Sequence, residues 1–555
     1  VQSIVQARLD RLPVADKSAI QAASVLGQRF SLAALQRLIG DEEYDCAKLV
    51  GHQLIREQGE DYFFAHALVR DGVYSSLLRS RRNELHLAAA EWFASNDLPL
   101  QAEHLEFAGH KDAAQAYLKA AKAQKAALRF ESAQRLAERG LSIAESSEML
   151  FALYCLLGEL LRELGEPEES IEAYQEALSC CADDTEKCNA LLGIAEGKRI
   201  VERIDEALDL VNQAKPIAEA NDLTEALMRL HHLKGNLLFP KGDIAGCEAG
   251  HRQSIKYAKK IGSAEGEAIG LGGLGDAAYV AGRMQTSHDT LSRCVEISRE
   301  NGYGRTEVAN AAQVCHAKIY LLELREAFDQ SRKIIDAARR VGHDRAELNA
   351  AAAALFSAVE LSDWSSAETF CEHVLVLGEK LGSVRFSQEG MAFKGVYLNA
   401  LGRNREALAS INQAIAGARE LGMSFGGPRM LGHLIRATKD TSAQDEAIAE
   451  AEEIIAGGCV GHNQPFFYRD AIEVMVQRQD WAQVQRHADS LEAFSAQERL
   501  PWSDFYVARA RALASWNSGG RTADSKTILQ KLRNDALAFG LQSSIPAIDQ
   551  ALNAD

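Results

Sequence analysis

The sequence predicts an all-α protein, a superhelical solenoid built from 40-residue repeats. Three observations carry this prediction. Proline is scarce, at 9 of 555 residues, and alanine-rich stretches are frequent, which favours helices because proline breaks the helical hydrogen-bond ladder and alanine is the best helix former. Small residues recur with a fixed spacing. Glycine recurs with the same spacing, at Gly262, Gly302, Gly342, Gly382 and Gly422.

Each of these glycines follows an amphipathic stretch such as "QSIKYAKKIG" or "NQAIAGARELG". A helix commonly ends at a residue that tolerates a positive φ, and glycine does so without a steric penalty. Five glycines in one phase by chance would be a rare event, on the order of one in a million. The column therefore predicts a helix end in every repeat.

The small residues form further columns with the same period. Small side chains recur where two helices of a hairpin cross closely. Forty residues for two helices and their turns predict helices of about 17 residues, or ~25 Å. One column is Ala207, Cys247, Ser287, Ala327, Ala367, Ala407 and Ala447; another is Ala195, Gly235, Gly275, Cys315, Leu355, Gly395 and Ile435; a third is Ala214, Ser254, Cys294, Ile334, Val374, Ala414 and Ile454.

The segment "LGELLRELGEPEESIEAYQEAL" resembles the tetratricopeptide family, since Gly158, Ser170, Tyr174 and Ala177 have the spacing of that family's packing residues. The resemblance covers roughly residues 100–540. The repeat length differs from that of the family, because the common repeat has about 34 residues and this one has 40. The resemblance implies a solenoid that binds on its concave face, lined by the first helix of each repeat.

The first hundred residues are organised differently. Short amphipathic helices are expected at "ADKSAIQAASVLG", "SLAALQRLIG" and "YDCAKLVGHQLI", then two short strands about a turn in "LIREQGEDYFFAH", then helices at "ALVRDGVYSSLL" and "RRNELHLAAAEWF". This order predicts a winged-helix arrangement. The segment also resembles the winged-helix region of signal-transduction NTPases of the STAND type. It is most similar to large bacterial proteins that join a class III adenylate cyclase, such an NTPase and tetratricopeptide repeats.

That resemblance implies a role for His66. STAND proteins carry a Met-His-Asp motif whose histidine meets the β-phosphate of bound ADP, and "FAHALVRD" stands at that place, with Ala65 and Ala67 replacing the methionine and the aspartate. His66 would sense ADP only together with an NTPase upstream, so ATP and ADP are cofactors of a parent protein and this chain has none of its own. The alternative is a histidine that caps a helix or packs in the winged-helix core.

Four regions follow: a winged-helix domain at 1–98, a helical transition with a first repeat at 99–182, the 40-residue repeats at 183–457, and degenerate repeats with a cap at 458–555. The chain begins with Val1, so we expect a fragment of a longer protein.

Composition excludes several classes of function. A net charge of −17 argues against nucleic acid as the partner, because such binding needs lysine and arginine. No apolar run is long enough for a membrane span. The ten cysteines show no Cys-x-x-Cys pair, and we expect small buried thiols in the cytoplasm. The strings "GLGGLG", "GMSFG" and "GIAEGKR" mimic a dinucleotide loop, a nucleophile elbow and a P-loop, but each lacks the required context. We therefore expect neither catalysis nor a bound metal.

The position after the second small column faces the concave side by family analogy, and it reads Glu196, Asn236, Asp276, His316, Phe356 and Val396. We predict that a protein or small ligand binds at Asn236, Asp276, Tyr279, His316 and Asn399, on a track that turns apolar. The alternative for each residue is an ordinary solvated helix face.

The function predicted is the regulatory and sensor arm of a multidomain signalling ATPase, adenylate cyclase-linked, with the upstream NTPase and effector as further partners. Two alternatives stay open: a free-standing scaffold for protein–protein interaction, and the arm of an ATP-dependent transcription activator. The tail "LQSSIPAIDQALNAD" is too short for the helix-turn-helix that commonly ends such activators.

Overall fold

The structure is a computed structural model and describes residues 7–553. Residues 1–6, where the sequence has helical character, lie outside that range. The chain forms two compact units, one that extends to Ala226 and one that begins at Leu227. The predicted boundaries at 98, 182 and 457 stay predictions.

The described residues form 29 α-helices and three strands, numbered here in chain order. The strands are β1 (Arg29–Ser31), β2 (Ile55–Gln58) and β3 (Asp61–Phe64). The helices of the first unit are α1 (Val14–Leu26), α2 (Leu32–Ile39), α3 (Ala47–Gly51), α4 (Ala67–Ser75), α5 (Arg79–Phe93), α6 (Leu98–Phe107), α7 (Ala113–Ala126), α8 (Phe130–Leu141), α9 (Ser147–Leu164), α10 (Pro167–Cys180), α11 (Asp184–Ile200) and α12 (Ile204–Ala220). Then follow α13 (Thr224–Leu238), α14 (Ile244–Ile261), α15 (Ala264–Val280), α16 (Met284–Glu300), α17 (Gly304–Tyr320), α18 (Leu324–Arg340), α19 (Asp344–Glu360), α20 (Trp364–Lys380), α21 (Val384–Ala400), α22 (Asn404–Leu421), α23 (Gly427–Ala437), α24 (Thr441–Ala456), α25 (Gln464–Arg478), α26 (Trp481–Phe494), α27 (Pro501–Asn517), α28 (Ala523–Phe539) and α29 (Ile545–Asn553), with 3₁₀ turns at Gly461–Asn463 and Gln542–Ser544.

The first unit begins with helices packed on a small antiparallel sheet of order β1-β3-β2. The two strands predicted about a turn are confirmed as β2 and β3, which pair Ile55 with Phe64. The sequence did not predict β1, because so short a strand cannot show an alternating pattern. Phe30, from β1, and Phe64, from β3, are buried in the core beneath the sheet.

The second unit confirms the repeat. Helices α15 to α21 have 17 residues each and begin at regular intervals, two to a repeat. The predicted column of glycines has a positive φ throughout, from 59° at Gly382 to 101° at Gly422. A second column of positive φ lies midway between these glycines, where Leu322 and Ser362 take the place of glycine. The sequence shows that column only in part, since glycine occupies it at Gly242, Gly282 and Gly402 but not in the two repeats between.

The small columns lie at helix crossings, as predicted. Ala207, Cys247, Ser287, Ala327, Ala367 and Ala407 are each 0% exposed. At Gly395 an added Cβ would overlap Ile411 Cγ1 and lie 2.9 Å from the Ala407 carbonyl oxygen. Only a residue without a side chain lets these two helices approach so closely.

The first helices of the repeats, α13, α15, α17, α19, α21 and α23, form one face, called here the inner face. The C-terminal repeats fold back onto part of it. Phe466 of α25 packs on Tyr320 and Phe356, with ring centroids 5.2 and 4.8 Å apart, and Trp502 of α27 packs on Phe466 at 4.7 Å. The Glu498 carboxylate accepts hydrogen bonds of 2.7 and 3.2 Å from the backbone N–H groups of Gln285 and Thr286. Contacts between residues far apart in the sequence therefore fix the C-terminal repeats in place.

Buried ion pairs lie in this contact and within the C-terminal repeats. Arg469 Nη1 and Trp502 Nε1 each donate a hydrogen bond of 3.1 Å to the Glu360 carboxylate. Arg509, which is fully buried, donates to Glu473 at 2.6 Å. Because each charge has an opposite charge as a partner, burial of these groups is tolerated.

No helix within residues 7–553 is both long enough and apolar enough to cross a membrane.

Candidate ligand site

A cavity of about 540 Å³ lies on the inner face of the second unit. Its walls come from helices α13, α15, α17, α19, α21 and α23, together with the turn before α23 and the 3₁₀ turn at Gly461–Asn463. A space of this size is typical of sites that hold a small molecule. Most of its polar lining is charged or carries a side-chain amide.

The structure brings four of the predicted binding residues together at this cavity: Asn236, Asp276, Tyr279 and His316. Asn236, Asp276 and His316 are spaced one repeat apart, so equivalent positions of successive first helices meet at one place. Asn236 Nδ2 donates a hydrogen bond of 2.9 Å to His232 Nε2, and His316 Nε2 donates to the Asn349 carbonyl oxygen at 3.2 Å.

The fifth predicted residue, Asn399, is not part of this cavity. Its Nδ2 donates a weak hydrogen bond of 3.4 Å to the Arg436 carbonyl oxygen, and its Oδ1 accepts one of 2.8 Å from Asn404. Asn399 instead borders a separate space of about 180 Å³. Asn399 lies on α21, a helix of the inner face, but at a different space from the other four residues, so its role in binding stays a prediction.

The first apolar residue of the predicted track, Phe356, does not form a free surface. Phe356 is 2% exposed and packs between Phe393 and Phe466, with ring centroids 5.3 and 4.8 Å away. The sequence pattern could not reveal this, because the covering helix comes from a distant part of the chain.

His66 lies in the first unit, at the residue that precedes α4. Its side chain is exposed and makes no hydrogen bond to the start of the helix. The alternative interpretation, in which this histidine caps the helix or packs in the core, is therefore wrong. The first backbone N–H groups of α4 lie beside it, and such groups favour anions.

Three arginines that the sequence analysis did not select form a ladder at the cavity. Arg305, Arg345 and Arg385 are the second residues of α17, α19 and α21, and successive members lie one repeat apart. The signal was present in the sequence, as an arginine shortly after each of three column glycines. We call these residues the arginine ladder.

The arginine ladder has no carboxylate partner within ion-pair distance among the described residues. Arg385 lies 4.4 Å from the ring centroid of Phe425 and 5.3 Å from that of Phe386. Arg345 lies 5.0 Å from the centroid of Phe386, and Arg305 donates only a weak hydrogen bond of 3.3 Å to the Gly342 carbonyl oxygen. Burial and the charge of Arg385 lower the pKa of Arg345, which indicates that these two cations lie close enough to repel each other.

A fourth arginine, Arg429, is compensated. It is 4% exposed and pairs with the Glu389 carboxylate. Burial alone would raise the pKa of Glu389, but the positive charges of Arg429 and the groups beside it hold the pKa below its ordinary value. The pair is therefore ionised and contributes no net charge to the cavity.

Asp276 is the other carboxylate of the cavity. Its side chain still meets the solvent that fills the cavity, yet protein surrounds it on most sides. This burial raises the pKa of Asp276 to about 7, and the charge of Arg385 opposes the rise only in part. A carboxyl group with this pKa is about half protonated at neutral pH, and its protonated form can donate a hydrogen bond as well as accept one.

The glycine-rich string at 270–275 lies inside α15, so it is no dinucleotide loop. Gly272 and Gly273 line the cavity. A Cβ at Gly272 would lie 2.6 Å from Asn310 Oδ1, and one at Gly273 would overlap the His251 ring. These glycines therefore make room for the side chains of Asn310 and His251 beside the cavity.

One wall of the cavity comes from the C-terminal part of the unit. The His462 ring packs on the Tyr279 ring with centroids 4.8 Å apart, and burial lowers the pKa of His462 well below its ordinary range. A Cβ added at Gly461 would lie 3.0 Å from backbone atoms of Val280 and Ala281. A side chain at Gly461 would push this wall away.

Comparison with known proteins supports the repeat assignment. The tetratricopeptide repeat family matches residues 149–220. No curated protein matches the sequence. One similar solved structure is a signal-transduction ATPase with numerous domains, a STAND protein with a tetratricopeptide repeat sensor from Pyrococcus horikoshii. It has a TM-score of 0.55 and 17% identity, over 73% of this chain and 63% of that one.

A second similar structure is a Rap protein complexed with competence and sporulation factor. It has a TM-score of 0.50 and 12% identity, over 63% of this chain and 98% of that one. The chain thus spans 63% of the length of the Pyrococcus horikoshii protein. At these identities the likeness concerns the fold. The chain has an all-α, superhelical fold of tetratricopeptide-like repeats.

Proposed function

We propose that this chain is the sensor arm of a multidomain signalling ATPase and that it binds its ligand in the cavity of the second unit. The observation that carries the proposal is the arginine ladder, three cations that meet at one cavity without carboxylate partners. All three side chains are exposed at the cavity, and cations gathered in a cleft raise the local concentration of anions. The cavity is therefore a candidate site for a ligand that carries negative charge.

The similar structures support the proposal at the level of the fold. A STAND protein with a tetratricopeptide repeat sensor and a Rap protein in complex with a signalling factor share this architecture. In the proposed parent protein an NTPase and an effector, an adenylate cyclase, precede this chain, and the segment 1–98 acts as the winged-helix domain that contacts the NTPase. Ligand binding would then shift the NTPase between closed and open states.

His66 is the proposed contact to ADP bound by that NTPase. Its exposure and its place before the first N–H groups of α4 support this role, because both leave the imidazole able to meet a phosphate. A hydrogen bond to a charged group contributes about 1.5–3 kcal/mol. Loss of the imidazole would therefore accelerate ADP release by about 10- to 100-fold.

The test uses the protein together with its upstream NTPase. We expect His66→Ala to accelerate ADP release, to raise basal effector output, and to leave the melting temperature unchanged. His52→Ala, at an exposed histidine that follows α3 in the same unit, is the matched control. Unaltered ADP release in the His66 variant would reject the sensor role for this residue.

A free-standing scaffold is the second candidate. It requires an open surface for a protein partner, whereas the inner face near Phe356 is covered by α25 and α27. The covered face favours a pocket for a small ligand. A purified chain that binds no NTPase, and whose complete gene product hydrolyses no ATP, would favour the scaffold instead.

A further inference from the structure

The chemistry of the cavity also restricts the class of ligand. We infer that the cavity binds a small, hydrophilic polyanion, a compound that carries at least two phosphate or carboxylate charges and several hydrogen-bonding groups. This inference rests on the proposed ligand site and names what occupies it.

The charge balance carries the first step. The Arg429–Glu389 pair is internally neutral. Asp276 then remains as the carboxylate opposite the three cations of the arginine ladder. The excess of positive charge is local, since the whole sequence has a net charge of −17. A ligand with one negative charge would leave this excess only partly compensated, so two or more are required.

The geometry of the arginine ladder supports the same class. Guanidinium groups present planar pairs of N–H donors that match phosphate and carboxylate oxygens. Each ladder residue stands in the first turn of its helix, so the free backbone N–H groups and the positive end of each helix dipole lie on the same side. The aromatic rings of Phe386 and Phe425 hold the Arg385 guanidinium in place.

The rest of the lining fits hydroxyl or amide groups. Asn236, Asn310, Gln313 and Asn349 bring side-chain amides to the cavity. Asn349 and Gln313 already share a hydrogen bond of 3.2 Å, which orients both for a further partner. A polar ligand body could bond the amide atoms that still lack a partner, whereas an apolar one would leave those atoms unsatisfied.

The size and the surroundings favour a small molecule over a peptide. A volume of about 540 Å³ holds a metabolite rather than a folded segment. An extended peptide that continued along the inner face would collide with Phe466 and Trp502, which already cover Tyr320 and Phe356.

The test is calorimetric titration of the whole chain with pyrophosphate, citrate and glucose, which represent phosphate charge, carboxylate charge and an uncharged polyol. We expect pyrophosphate or citrate to bind and glucose not to bind. Arg385→Gln and Arg345→Gln should each weaken binding by about 10- to 100-fold. Arg385→Lys, which keeps the charge but loses the planar fork, should fall between the wild type and Arg385→Gln.

Arg405→Gln is the matched control, because Arg405 is the exposed second residue of the next helix, α22, away from the cavity. It should bind as the wild type does. Sodium chloride at matched ionic strength controls for screening. Stronger binding of pyrophosphate than of citrate would identify phosphate as the charged group, and the reverse order would identify carboxylate.

Ala309→Phe separates this inference from the proposed function. Ala309 lines the cavity, and a ring there would fill it without changing any charge. One outcome would be that glucose binds, that Ala309→Phe abolishes this binding and that Arg385→Gln does not. The ligand site would then stand, and the polyanion class would be overturned. If Ala309→Phe affects no titration, or if polyanions bind equally to wild type and Arg385→Gln, the cavity is not where they bind and both proposals fail. An acidic peptide that binds more tightly than every small anion would also overturn the inference.

Discussion

The Tyr320 hydroxyl donates a hydrogen bond of 2.8 Å to the backbone carbonyl oxygen of His462, which lies 142 residues later in the chain. Tyr320 ends the first helix of one repeat, and His462 belongs to the 3₁₀ turn that leads into the C-terminal repeats. The same turn packs the His462 ring on Tyr279 at the cavity. One hydrogen bond thus links the position of the C-terminal repeats to the shape of the proposed ligand site.

Tyr320→Phe should lower the free energy of unfolding by about 1–3 kcal/mol, because it leaves a buried carbonyl oxygen without its donor. Tyr303→Phe is the control, since no hydrogen bond of the Tyr303 hydroxyl is found among the described residues, and it should change stability little. Urea unfolding of both variants measures the difference. An equal loss in the two would show that the His462 contact contributes nothing specific.

Glu360→Ala should be more costly. It removes a buried carboxylate that is the acceptor of both Arg469 and Trp502, so the free energy of unfolding should fall by about 3–5 kcal/mol. Glu406→Ala breaks an exposed pair with Arg403 and should change the free energy of unfolding little, because solvent screens an exposed pair. The two urea midpoints would contradict this account if they moved by the same amount.

Gly395→Ala tests the helix crossing in the repeat. The added methyl group would overlap Ile411 and approach the Ala407 carbonyl oxygen, so we expect a loss of about 1–3 kcal/mol. Gly304→Ala serves as the control, because a Cβ there would meet only Val341 Cγ1 at 3.6 Å. Thermal unfolding should show a lower melting temperature for the first variant alone.

The raised pKa of Asp276 predicts that the stability of the folded chain depends on pH. Its pKa is about 7 in the folded chain against an ordinary value of 3.8, so between these values the folded state holds a proton that the unfolded state has released. The contribution of Asp276 to stability is therefore present at low pH and is lost as the pH rises through about 7. Asp276→Asn should remove this loss, so the variant should gain melting temperature relative to the wild type as the pH rises from about 5 to about 8.

Other titratable or charged groups line the cavity together with Asp276 and set the background of that experiment: His232, Tyr279, Arg305, His316, His343, Arg345, Arg385, Glu389, Arg429 and His462. Burial keeps the pKa of His316 and His462 below the ordinary value, so these two imidazoles stay neutral where Asp276 titrates. Affinity for a polyanion should also fall as Asp276 ionises. A parallel pH profile in wild type and Asp276→Asn would show that another group is responsible.

Much of the repeat could be predicted from the sequence, for a physical reason. Each repeat packs mainly on its neighbours. The same local geometry therefore requires a glycine at Gly302, a small residue at Ala327 and similar residues at the equivalent positions of the adjacent repeats. Periodicity therefore predicted the length of the helices and where the chain turns. The same logic placed Asn236, Asp276 and His316 on one face, and the structure brings them to one cavity.

The tertiary structure alone decided how far that face stays open. The return of Phe466 and Trp502 onto Tyr320 and Phe356 joins repeats that are not neighbours, and such a contact has no period that a sequence could display. It buries Phe356, an apolar residue of the predicted track, whereas Val396 and Asn399 border the separate space of about 180 Å³. The unpaired state of the arginine ladder is likewise a tertiary fact, because a sequence shows where arginines recur but not whether a carboxylate lies within reach of each one.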